Sequence, residues 1–341
     1  RFHGGLHLPG HKAVSNITPV RTMPLPKRLV LPLSQHIGEP AEALVAPGER
    51  VLKGQMIARA RGYVSVPIHA SSSGTVIEIA PQAVPHPSGL HAPCIVIDTD
   101  GLDEAAPDTL SGDPIQLDPS ELRNRIRNAG IVGLGGAGFP SFIKLNPGPK
   151  RPIHTLLING AECEPYITCD DRLMRERAAD IVAGARILMH ALHAPECVIA
   201  VEDNKPEAAA ALRAAIAAAS ADAMDVVIIP TRYPTGGEKQ LIKVITGREV
   251  PSQGLPADVG VVCHNPGTAA AIHRALTQGE PLISRILTVT GDGVAQPGNL
   301  EVRIGTPIAD IIAASGGYTH KAQRLLMGGP MMGFALGSDA I

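Results

Sequence analysis

The sequence predicts a multidomain protein of α/β and β structure, in which a β-rich part precedes an α/β part. Its 341 residues are enough for more than one hydrophobic core. Residues 29–112 contain short apolar runs separated by glycine and proline, which is typical of strands and turns. From about residue 115, strands and helices alternate, which favours a parallel sheet covered by helices on both faces. A smaller α+β segment follows from residue 284.

Composition argues against several classes of protein. The net charge of -2 gives no reason to expect a nucleic acid as partner. No apolar run approaches the roughly 18 residues that a membrane-spanning helix needs. The five cysteines are dispersed and form no CxxC pair, which argues against a zinc site or an iron–sulfur cluster within this chain. No signal peptide is visible, so a cytoplasmic location is expected.

Residues 1–28 read as an irregular arm that begins Arg1-Phe2-His3. Its histidines could be metal ligands, but they lie in loop sequence without a carboxylate partner, so we expect them to pack against the rest of the protein. The remaining chain changes texture twice. We therefore predict an arm and three domains, with bounds 1–28, 29–112, 113–283 and 284–341.

The β-rich domain carries two sequence patterns, GERVLKGQMIA at 48–58 and IHASSSGTV at 68–76. Both resemble the barrel-sandwich hybrid fold of lipoyl and biotinyl carrier domains. In those carriers a lysine at the hairpin tip takes the prosthetic group. The corresponding hairpin here, residues 62–70, has no lysine. We therefore expect a structural or docking role for this domain rather than a swinging arm.

The α/β part can be followed element by element. A helix is expected to begin at Asp118-Pro119, because aspartate caps a helix N-terminus and proline suits its first turn. After residue 284 the predicted order is strand, strand, helix and strand. The predicted strands are 154–159, 196–202, 225–230, 259–264, 285–291, 300–304 and 324–327, and the predicted helices are 172–193, 205–220, 236–246, 267–276 and 307–315.

A glycine-rich loop gives the strongest functional signal. Gly133, Gly135, Gly136 and Gly138 lie between a short apolar run and Lys144. Closely spaced glycines let the backbone approach a flat or phosphorylated ligand, and a helix opening just after them would direct N–H groups at a phosphate. The spacing satisfies the G-x-G-x-x-G dinucleotide fingerprint of a Rossmann-like domain, with the acids Glu162 and Glu164 after the next strand. The fingerprint alone leaves a tight structural turn equally open.

Longer motifs make the pattern more specific. The loop 133–144 and the run Asn159-Gly160-Ala161-Glu162-Cys163-Glu164-Pro165 resemble the flavin- and NADH-binding subunit of respiratory complex I. The whole chain is more closely similar to the RnfC component of the Rnf electron-transport complex. The runs that carry this second resemblance are GGLHLP at 4–9, AECEPYIT at 161–168, YPTGGEKQ at 233–240, NPGT at 265–268 and GGPMMG at 328–333.

The resemblance implies roles for individual residues. It implies that FMN is bound by the glycine loop, by Lys144 and by residues after two strands, and that NADH stacks on Phe139 and bonds to two glutamates. No side chain is catalytic, because the hydride passes between cofactors. The implied FMN contacts are Gly133, Gly135, Gly136, Gly138, Lys144, Asn159, Glu162, Asn265 and Thr268, and the implied NADH contacts are Phe139, Glu164 and Glu238.

The sequence departs from the complex I pattern at several positions. Leu134 stands where a basic residue is usual, and Ala161 and Gly237 stand where acids are usual. The aromatic residue expected just after Lys144 is also missing. These departures leave the NADH part of the predicted site less certain than the FMN part. For Glu162 and Glu164 the alternative interpretation is a solvated strand end with a helix-capping role.

The implied function is that of an NADH-oxidising, FMN-binding module of a membrane-bound, ion-translocating ferredoxin:NAD oxidoreductase. Its implied partners are the other subunits of the complex, NADH and, indirectly, ferredoxin. Its expected location is peripheral, at the cytoplasmic side of the bacterial inner membrane, with this fragment soluble. Tetranuclear (4Fe-4S) iron–sulfur clusters are expected only in a further C-terminal region. Residues 284–341 resemble a β-grasp, soluble-ligand-binding unit, in which we expect the loop at Gly328-Gly329-Pro330 to shape a turn.

A second class of function stays open at this stage. The chain also resembles the quinone-binding NqrA component of the sodium-pumping NADH:quinone reductase, which shares the barrel but keeps no FMN loop. On that interpretation the chain would have a docking or quinone-binding role without flavin. The loop at 133–144, together with Glu162 and Asn265, favours the enzyme. Whether NADPH could replace NADH is not decided by the sequence.

Overall fold

A computed structural model describes residues 4–107 and 112–339 of the chain. Phe2 and His3 of the predicted arm lie outside these residues. The described part of the arm contains a 3₁₀ turn at Lys12–Val14 and the short strand β1 at Arg21–Thr22. The ring of His11 stacks on that of Tyr166, with centroids 4.6 Å apart, so the arm packs on the central part of the chain.

The β-rich part forms two small sheets that enclose one core. One sheet has the strand order β2-β8-β7-β4 and the other has the order β3-β5-β6, and all their pairings are antiparallel. The core between them is aliphatic and contains Leu29, Val76 and Ile97, all fully buried. The strands are β2 at Arg28–Pro32, β3 at Glu42–Ala43, β4 at Arg50–Val51, β5 at Met56–Arg59, β6 at Ile68–His69, β7 at Gly74–Ala83 and β8 at His91–Thr99.

The central part alternates helices and strands, as the sequence predicts. Its first helix begins at Pro119, and the Asp118 carboxylate accepts a hydrogen bond from the Ser120 amide at 2.8 Å. The helices are α1 at Pro119–Asn128, α2 at Ser141–Lys144, α3 at Cys169–Glu176, α4 at Ala178–Leu192, α5 at Pro206–Ala218, α6 at Glu238–Thr246 and α7 at Pro266–Thr277. The strands are β9 at Thr155–Gly160, β10 at Glu196–Glu202, β11 at Met224–Ile229 and β12 at Val261–His264.

These four strands form a parallel sheet with the order β11-β10-β9-β12. Side chains alternate between its faces, as they must in a strand. Leu156 and Ile158 of β9 pack in the large core formed with α4, α5 and α7, whereas Leu157 packs in a smaller core with α6. The expectation of a parallel sheet with helices on both faces is confirmed.

One predicted helix is wrong in its extent. The sequence predicts a single helix over 172–193, but the structure has two, α3 and α4, separated at Arg177. Arg177 has the non-helical dihedral angles φ -130 and ψ 36, and its guanidinium pairs with Glu301 of a distant strand. This long-range ion pair at the break has no local signal in the sequence.

The lysine-free hairpin of the β-rich part contacts the central part. The guanidinium of Arg127 on α1 donates a hydrogen bond to the carbonyl oxygen of Gly62 at 2.9 Å. The ring of Tyr63 lies edge-on to Phe142 of α2, with centroids 6.0 Å apart. The hairpin therefore packs against the helices that flank the glycine loop.

The C-terminal part is a mixed sheet with one helix and a hairpin. Strand β13, Ser284–Val289, pairs antiparallel with β14, Gly298–Arg303. Strand β1 of the arm pairs in parallel with the other edge of β14, so the arm contributes to this sheet. Helix α8 spans Ile308–Ala314, and the hairpin consists of β15, Leu325–Met327, and β16, Phe334–Leu336.

We predict that Gly184→Ala will destabilise the protein. Alanine normally stabilises a helix relative to glycine by about 1 kcal/mol. Here, however, a Cβ at position 184 of α4 would overlap the carbonyl oxygen of Ala269 on α7, so the two helices would have to separate. We expect the free energy of unfolding to fall by about 1–3 kcal/mol.

Urea unfolding of the purified chain measures this effect. Arg186→Ala, two residues further on the exposed side of α4, is the matched control, for which we expect little change. Equal stability of Gly184→Ala and the wild type would contradict the close α4–α7 packing.

Candidate functional site

The predicted site residues gather at the carboxyl edge of the parallel sheet. From β9 the chain proceeds to β10 and β11 on one side, then returns to β12 on the other side of β9. The order therefore reverses between β9 and β12, and ligands of open α/β sheets bind outside the strand ends at such a point. Asn159 lies at the end of β9, and Asn265 directly follows β12.

The glycine loop is closed by backbone contacts and rests on α7. The Gly133 amide donates to the Phe139 carbonyl at 2.8 Å, and the Leu134 amide donates to the hydroxyl of the buried Thr268 at 2.9 Å. A Cβ at Gly135 would come within 3.2 Å of the Asn265 Cβ. The loop therefore lies directly against the N-terminus of α7, as its glycines permit.

The tip of the loop is free to receive a ligand. Gly135 and Gly136 are exposed, and a Cβ at Gly136 would meet nothing within 4 Å. Gly136 and Gly138 have φ values of +116 and +60, which residues with side chains rarely adopt. The glycines thus combine an open surface at the tip with a backbone course that depends on glycine.

A chain of hydrogen bonds links the two loops that follow β9 and β12. The Asn265 side chain caps α7 by accepting from the Gly267 amide at 2.8 Å, and it donates to the Asp170 carboxylate at 2.6 Å. The Asp170 amide in turn donates to Glu162 Oε1 at 2.8 Å. Asn265 is therefore fixed in orientation by two partners, and Glu162 acts on it through Asp170.

Glu162 is a buried carboxyl group beside a cation. Its side chain is almost inaccessible, and within the described residues its Oε2 atom has no hydrogen-bond partner. The ammonium of Lys12 lies 3.9 Å from Oε2. Burial raises the pKa of Glu162 to about 7, against the opposing effect of Lys12. This group can therefore hold or release a proton near neutral pH.

Lys144 and Glu238, which the resemblance assigns to FMN and NADH, contact each other. The Lys144 ammonium donates to Glu238 Oε1 at 2.6 Å and to the Cys263 carbonyl at 2.9 Å. Asn159 donates to the carbonyl oxygen of Gly236 at 2.8 Å, just before α6 begins. The three residues thus join the ends of β9 and β12 to the start of α6.

Glu164 contacts the C-terminal part of the chain. Its Oε1 atom accepts hydrogen bonds from the Met331 amide at 2.5 Å and the Met332 amide at 3.3 Å. Gly329 lies so close that a Cβ there would overlap the Glu164 side chain. Phe139, the third predicted NADH contact, is partly buried at the end of the glycine loop. The acid is therefore held by the loop between β15 and β16.

Sequence reasoning did not identify three charged residues of this region as site residues. Lys12 donates to the carbonyls of Glu162, Glu164 and Ile167, Asp170 bonds Asn265, and the Arg285 guanidinium lies 3.4 Å from the Leu134 carbonyl. Asp170 could have been found, because it follows the acidic motif. Lys12 and Arg285 come from distant segments and carry no local signal.

The arrangement fits a flat, phosphorylated ligand such as FMN. The glycine tip offers an exposed surface without side chains, and the capped N-terminus of α7 lies next to it. The unpartnered Oε2 of Glu162 leaves one polar atom to be satisfied. Among residues 4–107 and 112–339, no helix is long and apolar enough to cross a membrane, and no three His, Cys, Asp or Glu side chains are grouped to hold a metal ion.

A separate groove lies on the α6 face of the sheet. Its volume is about 810 Å³, and its walls are mainly aliphatic residues of β10, β11 and α6, such as Val198, Val227 and Val244. None of the predicted site residues lines it. The chemistry-bearing residues are at the carboxyl edge of the sheet instead, so this edge is the candidate site.

Family models match three consecutive parts of the chain. The RnfC barrel sandwich hybrid domain matches residues 1–102, the Nuo51 FMN-binding domain matches residues 126–274, and the SLBB domain matches residues 286–335. The fold and the site thus define a protein with a flavin-binding α/β domain between a barrel-sandwich domain and an SLBB domain. The predicted barrel-sandwich domain and parallel-sheet FMN domain are confirmed.

Curated relatives are similar over nearly the whole chain. The RnfC-type component of the ion-translocating oxidoreductase complex of Pseudomonas aeruginosa is 51% identical over 98% of this chain. The proteins of the same name from Rhodobacter capsulatus and Erwinia tasmaniensis are each 49% identical over 98% of it. The chain belongs to this RnfC family, as predicted. It spans only 43%, 64% and 41% of the length of these relatives, respectively.

Solved structures show the same fold. An NAD+-reducing [NiFe]-hydrogenase in the H2-reduced state matches with a TM-score of 0.53 and 24% identity, over 59% of this chain and 40% of that chain. The hydrogenase in the air-oxidized state matches with a TM-score of 0.51 and 24% identity, over 62% of this chain and 45% of that chain. At this identity the likeness concerns the fold alone.

We predict that Glu162→Gln will change how stability depends on pH. With a pKa of about 7 in the folded protein against an ordinary 4.5, Glu162 keeps a proton that the unfolded chain loses between these values. Its contribution to the free energy of unfolding therefore falls as the pH rises through this window. Glu162→Gln should be more stable relative to the wild type at about pH 8 than at about pH 5, by on the order of 1–3 kcal/mol.

Urea unfolding at both pH values measures the difference between variant and wild type. Glu49→Gln, at an exposed position of the β-rich part, is the control for loss of a carboxylate. A difference that is the same at both pH values would show that the folded protein does not favour protonated Glu162.

We predict that Gly329→Ala will detach the loop between β15 and β16 from Glu164. Position 329 has a φ of +91, and an added Cβ would overlap the Glu164 side chain. Together these effects should destabilise the loop by about 1–3 kcal/mol. Limited proteolysis should then cleave near residue 330 faster than in the wild type.

Two further variants separate the causes. Gly337→Ala, where a Cβ has open space and φ is ordinary, should leave the cleavage rate unchanged. Combining Gly329→Ala with Glu164→Ala removes the overlap and should recover part of the protection. Unchanged cleavage in Gly329→Ala would argue against the Glu164 contact.

Proposed function

We propose that this chain is the FMN-binding, NADH-oxidising module of an Rnf-type ion-translocating oxidoreductase complex. The observation that carries the proposal is the meeting of the glycine loop, the end of β9 and the capped N-terminus of α7 at the point where the strand order reverses. The match to an FMN-binding domain at residues 126–274 supports the same assignment. FMN, when bound, would accept a hydride and pass electrons on singly.

On this proposal the FMN contacts are backbone and polar groups around the glycine loop. Gly133, Gly135, Gly136 and Gly138 would leave room for the ligand, and Asn265 and Thr268 would fix the loop against α7. Asn159, Glu162 and Lys144 surround this edge of the sheet. Glu162, with a pKa near 7, would hold or release a proton beside the ligand.

The NADH side requires an exchange of partners. Glu164 bonds the Met331 and Met332 amides, and Glu238 bonds Lys144. NADH could use these carboxylates only if those contacts opened or were shared. Phe139 would offer its ring to stack with the nicotinamide. NADH is the substrate that we propose, because the resemblance implies it, and NADPH is the competing substrate to test.

The finer organisation follows from the same proposal. We place the arm and domains at 1–28, 29–112, 113–283 and 284–341, bounds that the separate cores of the β-rich, central and C-terminal parts support. The mixed sheet with α8 supports a β-grasp unit at the C-terminal end. Other subunits of a membrane complex at the cytoplasmic side of the inner membrane would be the partners, and ferredoxin an indirect one. Iron–sulfur clusters would be held outside this chain.

We predict that the purified chain binds FMN and that NADH bleaches the bound flavin under anaerobic conditions. Absorbance titration should show reduction at about one NADH per bound FMN. Gly135→Val should abolish FMN binding, since even a Cβ at this position lies within 3.2 Å of Asn265. Glu164→Ala should keep FMN but raise the NADH concentration needed for bleaching, by about 10-fold or more.

Gly337→Val is the matched control, because its Cβ would meet open space. Thermal unfolding of each variant separates loss of fold from loss of ligand. Failure of the folded wild-type chain to bind FMN would favour the alternative of a docking or quinone-binding role. Bleaching by NADPH as effective as bleaching by NADH would contradict the proposed substrate.

A further inference from the structure

Four cations lie around the candidate flavin site, and three of them are already paired or bonded. Lys12 donates to three backbone carbonyls, and Lys144 bonds Glu238. Lys205 forms a fully buried pair with Glu202. These three side chains therefore have their charge or donors satisfied by the protein itself.

Arg285 differs from the other cations. It is exposed on β13, and its one hydrogen bond within the described residues is the 3.4 Å contact from Nη2 to the Leu134 carbonyl. It forms no ion pair within residues 4–107 and 112–339. A guanidinium carries five N–H donors in a planar fork, so most of its donors remain for a ligand.

The position of Arg285 is next to the loop that forms the cradle. The Leu134 carbonyl contacts Arg285, and the Leu134 amide bonds Thr268 in the first turn of α7. Its charge also acts on Asp170 and Cys169, lowering the pKa of each against the larger effect of burial. One residue of the glycine loop thus joins Arg285 to the N-terminus of α7.

We propose that Arg285 binds the phosphate of FMN, so that the C-terminal part of the chain completes the flavin site. This inference rests on the proposed FMN-binding function. A phosphate dianion is recognised by N–H groups at a helix N-terminus and, bidentately, by a guanidinium. Lys144, which the resemblance assigns to FMN, is held by Glu238 and the Cys263 carbonyl instead. Arg285 is the cation whose donors are available at the loop.

Comparing FMN with riboflavin tests the proposal, because riboflavin lacks only the phosphate. Apoprotein is titrated with each flavin, and binding is followed by quenching of flavin fluorescence. In Arg285→Gln we expect the FMN dissociation constant to rise by about 10- to 100-fold and that of riboflavin to stay within about twofold. Arg285→Lys should recover part of the FMN affinity, since it restores the charge without the planar fork.

Arg186→Gln, an exposed arginine on α4, is the matched control and should bind both flavins as the wild type does. Unchanged FMN affinity in Arg285→Gln would overturn the inference while leaving the proposed function intact. Equal losses for FMN and riboflavin would also overturn it, because they indicate a structural role. If the folded wild type bound neither flavin, the proposed function itself would fail.

Discussion

The ammonium group of Lys12 is the interaction on which the candidate site most depends. It donates to the carbonyls of Glu162, Glu164 and Ile167 at 2.6–2.8 Å, so all three of its N–H donors are used. Burial lowers the pKa of this lysine, and its partners offset the cost of burying the charge. Without the ammonium, three partly buried carbonyls would lose a donor, at about 1–3 kcal/mol for each one left unsatisfied. The backbone that carries both acids is thus fixed by a residue of the N-terminal arm.

A second polar cluster fixes the C-terminal part relative to the other two. The Asn299 amide on β14 donates to the Ser15 carbonyl at 3.1 Å and to the Thr168 hydroxyl at 2.9 Å, and the Ser15 and Thr168 hydroxyls are 2.9 Å apart. All three side chains are buried. Buried polar groups must be satisfied in one geometry, so this cluster specifies position more strictly than aliphatic packing would. The placement of Arg285 and of the loop around Gly329 follows from it.

The sequence predicted what depends on neighbouring residues. The strand over 196–202 and the helix start at Asp118-Pro119 follow from local hydrophobic pattern and capping, and both match the structure. The glycine loop was found because its spacing is local. The break between α3 and α4 was missed, because the Arg177–Glu301 pair joins residues 124 positions apart. Lys12 and Arg285 were missed as site residues for the same physical reason.

The site places different demands on its two proposed ligands. Around the glycine tip the groups are backbone atoms, a helix N-terminus and an arginine with free donors, so an FMN phosphate would displace few internal contacts. Burial raises the pKa of Glu162 and Asp170, which reduces the negative charge that an anionic ligand would meet. Glu164 and Glu238, in contrast, already accept hydrogen bonds from the protein. Only the surplus over those bonds could contribute to NADH affinity, because binding exchanges one partner for another. A preformed flavin cradle beside a nucleotide site that must first be opened is the arrangement that these contacts favour.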